Sequence, residues 1–218
     1  LILKSNSKIR KQEHNYHPKT NKELYDLIVK LIDERGSNAN LNDIDVSQID
    51  VMSDIFQYQN IGKIDISEWD VSNVISMNRM FFNCNKFDCD LSNWDVSNVV
   101  EMDSMFMHCD NFKGKGLKNW NTKKVKYMGY MFCECNKFEE DISDWDVSSC
   151  KNFKHMFADA VCFNQPIGKW DVSAGTDFSC MLNGCEEFDQ DLSNWKFNED
   201  IEKMVAMFKN CKKFSIAV

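Results

Sequence analysis

The chain has 218 residues, 34 acidic against 26 basic side chains for a net charge of −8, and a hydrophobic content of 43%. That suffices for a core in one or two domains, and the acidic balance excludes a nucleic-acid backbone as partner, since such binding needs a concentrated basic surface. No run of 18 apolar residues occurs, so no helical membrane span is expected, and the start at Leu1 without a methionine leaves the compartment open.

Taken in order, residues 1–17 place Lys4, Lys8, Arg10 and Lys11 among polar residues without an apolar period, which predicts a flexible leader. Residues 18–40 predict an N-terminal capping helix. Thr20-Asn-Lys-Glu23 is a capping-box pattern, Leu24, Leu27, Ile28, Leu31 and Ile32 share one helical face, and Gly36 supplies the stop. A cap is needed because the open end of a repeat array exposes apolar rungs; a partner-binding helix is the alternative.

Residues 41–218 predict a solenoid of about seven turns. The six tryptophans Trp69, Trp94, Trp120, Trp145, Trp170 and Trp195 are spaced by 25, 26, 25, 25 and 25 residues, a period that sets the architecture. Numbered from the tryptophan, the core positions recur at −3 (Ile66, Leu91, Leu117, Ile142, Ile167, Leu192) and at +2 (Val71, Val96, Thr122, Val147, Val172, Phe197). They continue at +8 (Met77, Met102, Met128, Phe153, Phe178), at +11 and +12 (Met105-Phe106 and its equivalents) and at +18 (Phe87, Phe112, Phe138, Phe163, Phe188). Leu41–Asp65 is a degenerate first turn with Ile44 in the tryptophan slot, and Gly114-Lys-Gly116 adds one residue between turns. Gly175 weakens the fifth full turn by standing where Val74, Val99 and Val125 stand elsewhere.

Period two across Leu91, Trp94 and Val96 predicts a short strand at about 93–96. Serine at +3, as in Ser97, would then cap a short helical side carrying Val99, Met102, Met105-Phe106 and Cys109. The expected class is therefore an α/β solenoid, its short strands stacked into a parallel sheet. Cys84, Cys109, Cys135 and Cys185 share slot +15, where Ala160 also stands, and Cys211 aligns after an insertion. A slot that alternates cysteine with alanine predicts small buried free thiols.

No catalytic constellation is expected. His14, His17, His108 and His155 recur with no nucleophile, and phosphate loops and metalloprotease motifs are absent. Cys133 and Cys135 lie one turn from His108 and Cys109 but lack zinc-ligand spacing. No cofactor or metal is therefore expected. If −3, 0 and +2 point inward, −1 and +1 point outward and form the candidate binding face: Glu68, Asp70, Asn93, Asp95, Asn119, Asn121, Asp144, Asp146, Lys169 and Asp171. Its aspartate column at +1 either accepts bonds from corner amides, as Asx motifs do, or meets a basic protein partner; a calcium ladder is the least suited, lacking six to eight oxygens per ion.

The blocks Asp90-Leu-Ser-Asn-Trp-Asp-Val-Ser-Asn-Val99 and Met105-Phe-Met-His-Cys-Asp-Asn-Phe112 resemble the BspA-like leucine-rich-repeat proteins in their tryptophan-containing, bacterial surface and lipoprotein form. The resemblance covers about four-fifths of the chain, with departures at Asn121-Thr122-Lys123 and Lys196-Phe197-Asn198. It implies a leucine-rich-repeat fold and attachment to host or matrix proteins from the cell surface or a secreted state. The expected function is a non-enzymatic protein-binding or adhesion module. Two rivals are a structural spacer, stacking or oligomerising through an open C-terminal edge at Phe214–Val218, and an intracellular effector or sensor using its thiols.

Overall fold

The computed structural model describes residues 14–199, 201 and 203–214. Helix α1 spans Asn21–Arg35. The Thr20 hydroxyl accepts a bond from the Glu23 amide at 3.2 Å, and the Glu23 carboxylate accepts one from the Lys19 amide at 2.7 Å, so two amides at the helix start are satisfied reciprocally. Leu24, Ile28 and Leu31 are fully buried and join the apolar core of the first turn. Residues 1–13 of the expected leader lie outside the described residues, whereas 14–17 are tied down. The Asn15 and Tyr16 amides donate to the Asp43 carbonyl, the Asp45 amide donates to the Tyr16 carbonyl, and the Arg35 guanidinium grips both Asp43 carboxylate oxygens at 2.8 and 2.9 Å.

Beyond α1 the chain winds in turns that stack directly on one another. Slot +7 forms one parallel bridge per junction, running Val51, Ser76, Glu101, Tyr127, Asn152, Asp177, Lys203. From there to slot +14 every second amide reaches forward: Met102, Ser104, Phe106 and His108 donate to the carbonyls of Tyr127, Gly129, Met131 and Cys133 in the next turn. The amides between them close turns on their own chain, Met105 to Met102, Met107 to Ser104 and Cys109 to Phe106. The same four forward bonds recur at all six junctions.

This arrangement overturns the expected α/β leucine-rich-repeat class. Helix makes up 11% of the described residues and bridge pairing 6%, and among them the pairing never extends beyond single-residue bridges. In place of the strand at 93–96 are two tight turns, closed by the Trp94 amide on Leu91 and the Val99 amide on Val96. The helical side expected after Ser97 is absent because a helix needs every amide for itself, while here every second one bonds the next turn. Slots +10 and +14 are left-handed, as in Ser104 (φ 57) and His108 (φ 60), which no α-helix contains. Each such non-glycine residue costs ~1–2 kcal/mol, and thirteen occur; the forward bonds and the buried columns offset them. The only short helical pieces among the described residues of this region, the 3-10 turns Leu117–Asn119 and Ile167–Lys169, lie just before tryptophans, on the side where the strand was expected.

The apolar columns run through the whole stack. Successive indoles from Trp69 to Trp170 lie parallel with centroids 6.4 Å apart, beside a column of Phe56, Phe81, Phe106, Phe132 and Phe157. Each indole nitrogen donates to the −3 carbonyl of the turn before, for example Trp145 to Leu117 at 2.8 Å. The tryptophans are therefore buried without an orphaned polar atom. Thr122 in the valine slot is buried too, its hydroxyl donating to the Asp146 carbonyl at 2.9 Å.

Gly175 does not weaken its turn. A side chain there would overlap the ring of Phe178 and come within 3.1 Å of Phe153. Slots +5 and +8 trade volume along the stack: Val99 with Met102, Cys150 with Phe153, Gly175 with Phe178. Gly175→Val should accordingly destabilise the protein by roughly 1–3 kcal/mol through overpacking. The double change Gly175→Val with Phe178→Met restores the pairing of the inner turns and should recover most of that loss in urea unfolding. An additive double mutant would show that the two slots do not compensate.

Candidate functional site

All ten residues expected on the binding face are exposed. They do not lie on a strand. The −1 residues sit in the tight turn that ends at each tryptophan, with Asn119 and Lys169 at the ends of the 3-10 turns, and the +1 residues lie between that turn and the next. Two side-chain motifs build this surface. In slot +1 a carboxylate oxygen accepts a bond from the amide two residues on: Asp70 from Ser72 at 3.1 Å, Asp95 from Ser97 at 3.0 Å, Asp146 from Ser148 at 3.1 Å and Asp171 from Ser173 at 3.1 Å. Asn121 does the same with the Lys123 amide at 3.3 Å. The serine at +3 is thus the donor that curls the chain, where the sequence reading took it as the cap of a helix.

A second column at −4 repeats the device. Asp65, Asp90, Asp141 and Asp191 accept from the amides of Ser67, Ser92, Ser143 and Ser193. The sequence reading missed it, although the signal was present: aspartate, any residue, serine precedes the W-D-V-S of Trp69, Trp94 and Trp145, so the pattern occurs twice in each of those turns. Asparagine side chains then tie neighbouring turns where the backbone does not, Asn98 donating to the Ser72 carbonyl at 2.8 Å and Asn93 to that of Ser67 at 3.2 Å.

Electrostatics separates the two columns. In the −4 column Lys115 pairs with Asp90 at 2.7 Å and Lys118 with Asp141 at 3.7 Å. In the +1 column no lysine or arginine among the described residues lies within ion-pairing distance of Asp70, Asp95, Asp146 or Asp171, although Lys124 and Lys196 lie near enough to Asp95 and Asp171 to favour their charged forms. Hydrogen bonds from Ser97 and Ser173 hold the carboxyl groups of Asp95 and Asp171 below the usual range. Neighbouring carboxylates one turn apart repel by ~0.8 kcal/mol in water at about 5 Å. A bond to a charged acceptor contributes ~1.5–3 kcal/mol, so the bonds outweigh the repulsion and fix the charges in place.

The other candidate groups are drawn apart. His108 lies 3.0 Å from Glu134, while the Cys135 thiol points inward and donates to the Phe106 carbonyl at 2.9 Å. The +15 thiols repeat that bond, Cys84 to Phe56 and Cys109 to Phe81, both at 3.0 Å. All ten cysteines are free. Burial pushes the Cys84, Cys89 and Cys133 thiols up to about 12 and those of Cys109, Cys135 and Cys185 well above their ordinary value, which leaves them poor nucleophiles and poor metal ligands. No group of three or more potential metal ligands forms among the described residues, and no helix there is long and apolar enough to cross a membrane.

A family model described as Mycoplasma protein of unknown function, DUF285, matches residues 28–116 and again 101–218, the two matches overlapping as a repeat allows. No curated protein and no solved structure matches the chain.

Proposed function

We propose that this chain, which belongs to the DUF285 family, is a non-enzymatic binding module that holds a basic protein surface against its +1 aspartate column. The observation that carries this reading is one carboxylate in the same slot of four turns, Asp70, Asp95, Asp146 and Asp171. Each is exposed, each is anchored through one oxygen, and none has a cation within ion-pairing distance among the described residues. A row of fixed charges, interrupted once at Asn121, presents its field without ordering cost on binding, and an acidic strip steers and selects a positively charged partner. Attachment at a cell surface, which the resemblance to BspA-like proteins implies, is one setting for such a module.

The test uses a decalysine peptide as a stand-in for the basic surface. Asp95→Asn with Asp146→Asn removes two charges but keeps both turns, since Asn121 already closes its own turn through an amide oxygen. The melting temperature should stay within a degree or two. Affinity should fall roughly fivefold, as two exposed charge pairs at ~0.5 kcal/mol each imply, and the difference should vanish in high salt. Asp90→Asn with Asp141→Asn, whose carboxylates Lys115 and Lys118 already pair, should weaken binding less. Equal losses from the two double variants would show that net charge alone acts and would overturn the assignment to the +1 column.

A further inference from the structure

Slot +6 forms a second line along the stack. The Ile75 amide donates to the Asp50 carbonyl at 2.8 Å, Val100 to Ile75 at 2.9 Å, Lys126 to Val100 at 2.8 Å and Lys151 to Lys126 at 2.9 Å. These five residues therefore stand one above another, one per turn, and all but half-buried Val100 are exposed. In order the line reads one carboxylate, two aliphatic side chains and two ammonium groups. Its apolar part is open to solvent, Ile75 being 47% exposed. Ile75 and Val100 line a depression with Val51, where one Glu101 carboxylate oxygen accepts from the Ser76 hydroxyl and the Asn78 side-chain amide, both at 2.9 Å.

Elsewhere charges on successive turns pair off, Lys113 with Glu139, Lys115 with Asp90 and Lys118 with Asp141. Slot +6 departs from that habit. Asp50, Lys126 and Lys151 have no ion-pair partner among the described residues, and the two lysines set like charges one turn apart. A partner of complementary charge relieves that repulsion and is selected by it. The spacing narrows the partner further. Chain segments joined by such backbone bonds lie about 4.8 Å apart, so Asp50 to Lys151 covers roughly 19 Å. A helix that meets the line with residues alternately three and four apart covers about 21 Å at 1.5 Å per residue and keeps register at all five positions. An extended segment shows one face only every ~6.6 Å and is a whole turn out of register by its fourth contact.

We infer that slot +6 is the docking line for an amphipathic helix of a partner protein. Carboxylates near the start of that helix meet Lys126 and Lys151, aliphatic side chains cover Val100 and Ile75, and a basic residue near its end meets Asp50. This direction puts acid at the helix N-terminus and base at the C-terminus, the order that the helix dipole favours. A second copy of this chain fits less well. Its α1 shows exposed Tyr25 and Val29, but Asp26 and Glu34 on that helix are already paired with Lys22 and Lys30. The line uses none of the +1 aspartates, and its failure would leave the reading of that column intact.

The probe is a fluorescently labelled fifteen-residue peptide of alanine and glutamine, ~22 Å long as a helix, titrated into the intact protein. It carries glutamate at its first and fourth positions, leucine at its eighth and eleventh and lysine at its last. Binding should be saturable. Lys126→Ser with Lys151→Ser should weaken it roughly fivefold, as loss of two exposed charge pairs implies, and Ile75→Ser should weaken it by about as much through lost apolar contact. Neither variant should move the melting temperature by more than a degree or two, and Asp95→Asn with Asp146→Asn should leave the affinity unchanged. Three results would each overturn the inference: no binding at millimolar peptide, a loss from the lysine variant with none from Ile75→Ser, or self-association of the protein that Ile75→Ser abolishes. The second would mark a site for any polyanion, and the third would make a second copy the occupant.

Discussion

Trp120→Ala should lower the unfolding free energy by roughly 3–5 kcal/mol, the cost of deleting a large buried aromatic and leaving a cavity. The indole is 4% exposed, lies parallel to Trp94 and Trp145 at 6.4 Å on either side, touches Phe106 and donates to the Leu91 carbonyl at 3.3 Å. Removing it opens a gap between two turns and takes away one of the two bonds that the Leu91 carbonyl accepts, the other coming from the Trp94 amide, with no room in a stack of this kind for one turn to collapse alone. Trp120→Phe keeps most of the ring and loses the donor, so about 1–2 kcal/mol should be lost, the scale of one lost buried bond. Trp195→Ala, at the last tryptophan of the column, should cost clearly less than Trp120→Ala. Equal midpoints for the two alanine variants in urea would mean that the tryptophan column does not carry the load assigned to it.

Gly116→Ala should be nearly as damaging although it adds a single methyl group. Gly116 holds φ at 96, where an L-residue pays ~1–2 kcal/mol. Its missing Cβ is replaced by the chain of the preceding turn: a methyl would overlap the Ser92 amide nitrogen and stand 2.7 Å from the Leu91 carbonyl carbon. Those are backbone atoms, held by the Asp90 carboxylate on one side and by the Leu91 bond to Lys115 on the other, so they cannot turn aside as a side-chain tip would. Overpacking of this sort adds ~1–3 kcal/mol, for a total near 2–5 kcal/mol. Gly36→Ala is the control: φ there is 85 but nothing stands within 4 Å of the added methyl, so only the conformational part should be lost. A Gly116→Ala midpoint no lower than that of Gly36→Ala would show that the two turns are not in close backbone contact at this point.

The slots of the core were legible in the sequence and the path of the chain between them was not. Tryptophan, phenylalanine and cysteine spacing places every buried column, down to Ile44 as a substitute for tryptophan, because burial depends on side-chain type and period alone. The backbone misled for a physical reason. Val99, Met102, Met105-Phe106 and Cys109 fall three or four residues apart, which fits a helix as well as it fits overlapping three-residue turns. Deciding between them needs the sign of φ at slots +10 and +14. Slot +10 holds Arg79, Ser104, Tyr130, His155 and Cys180, residues with no shared left-handed preference, whereas slot +14 holds Asn83, His108, Glu134, Asp159 and Gly184, most of which enter that region more readily than other residues, a hint the periodicity overshadowed. On the tryptophan side the period of two was real, but the D-x-S bonds curl the segment into turns that periodicity does not detect. The exposure of the −1 and +1 side chains was legible because it follows from burial at −3, 0 and +2.

The forward bonds from slots +8 to +14 have a mechanical consequence. They run along the axis of the stack, four to a junction and nearly identical at each, so a pull on the two ends of the chain loads one junction at a time and shears none of the others. The molecule should yield by peeling, turn by turn, with the junction under α1 held longest by the helix packed on it. Each event would release 25 residues, or roughly 85 Å of slack at about 3.4 Å per residue. In an optical trap that is a staircase of equal steps, and a tether made of such turns gives way gradually under strain and rewinds from whichever turns remain.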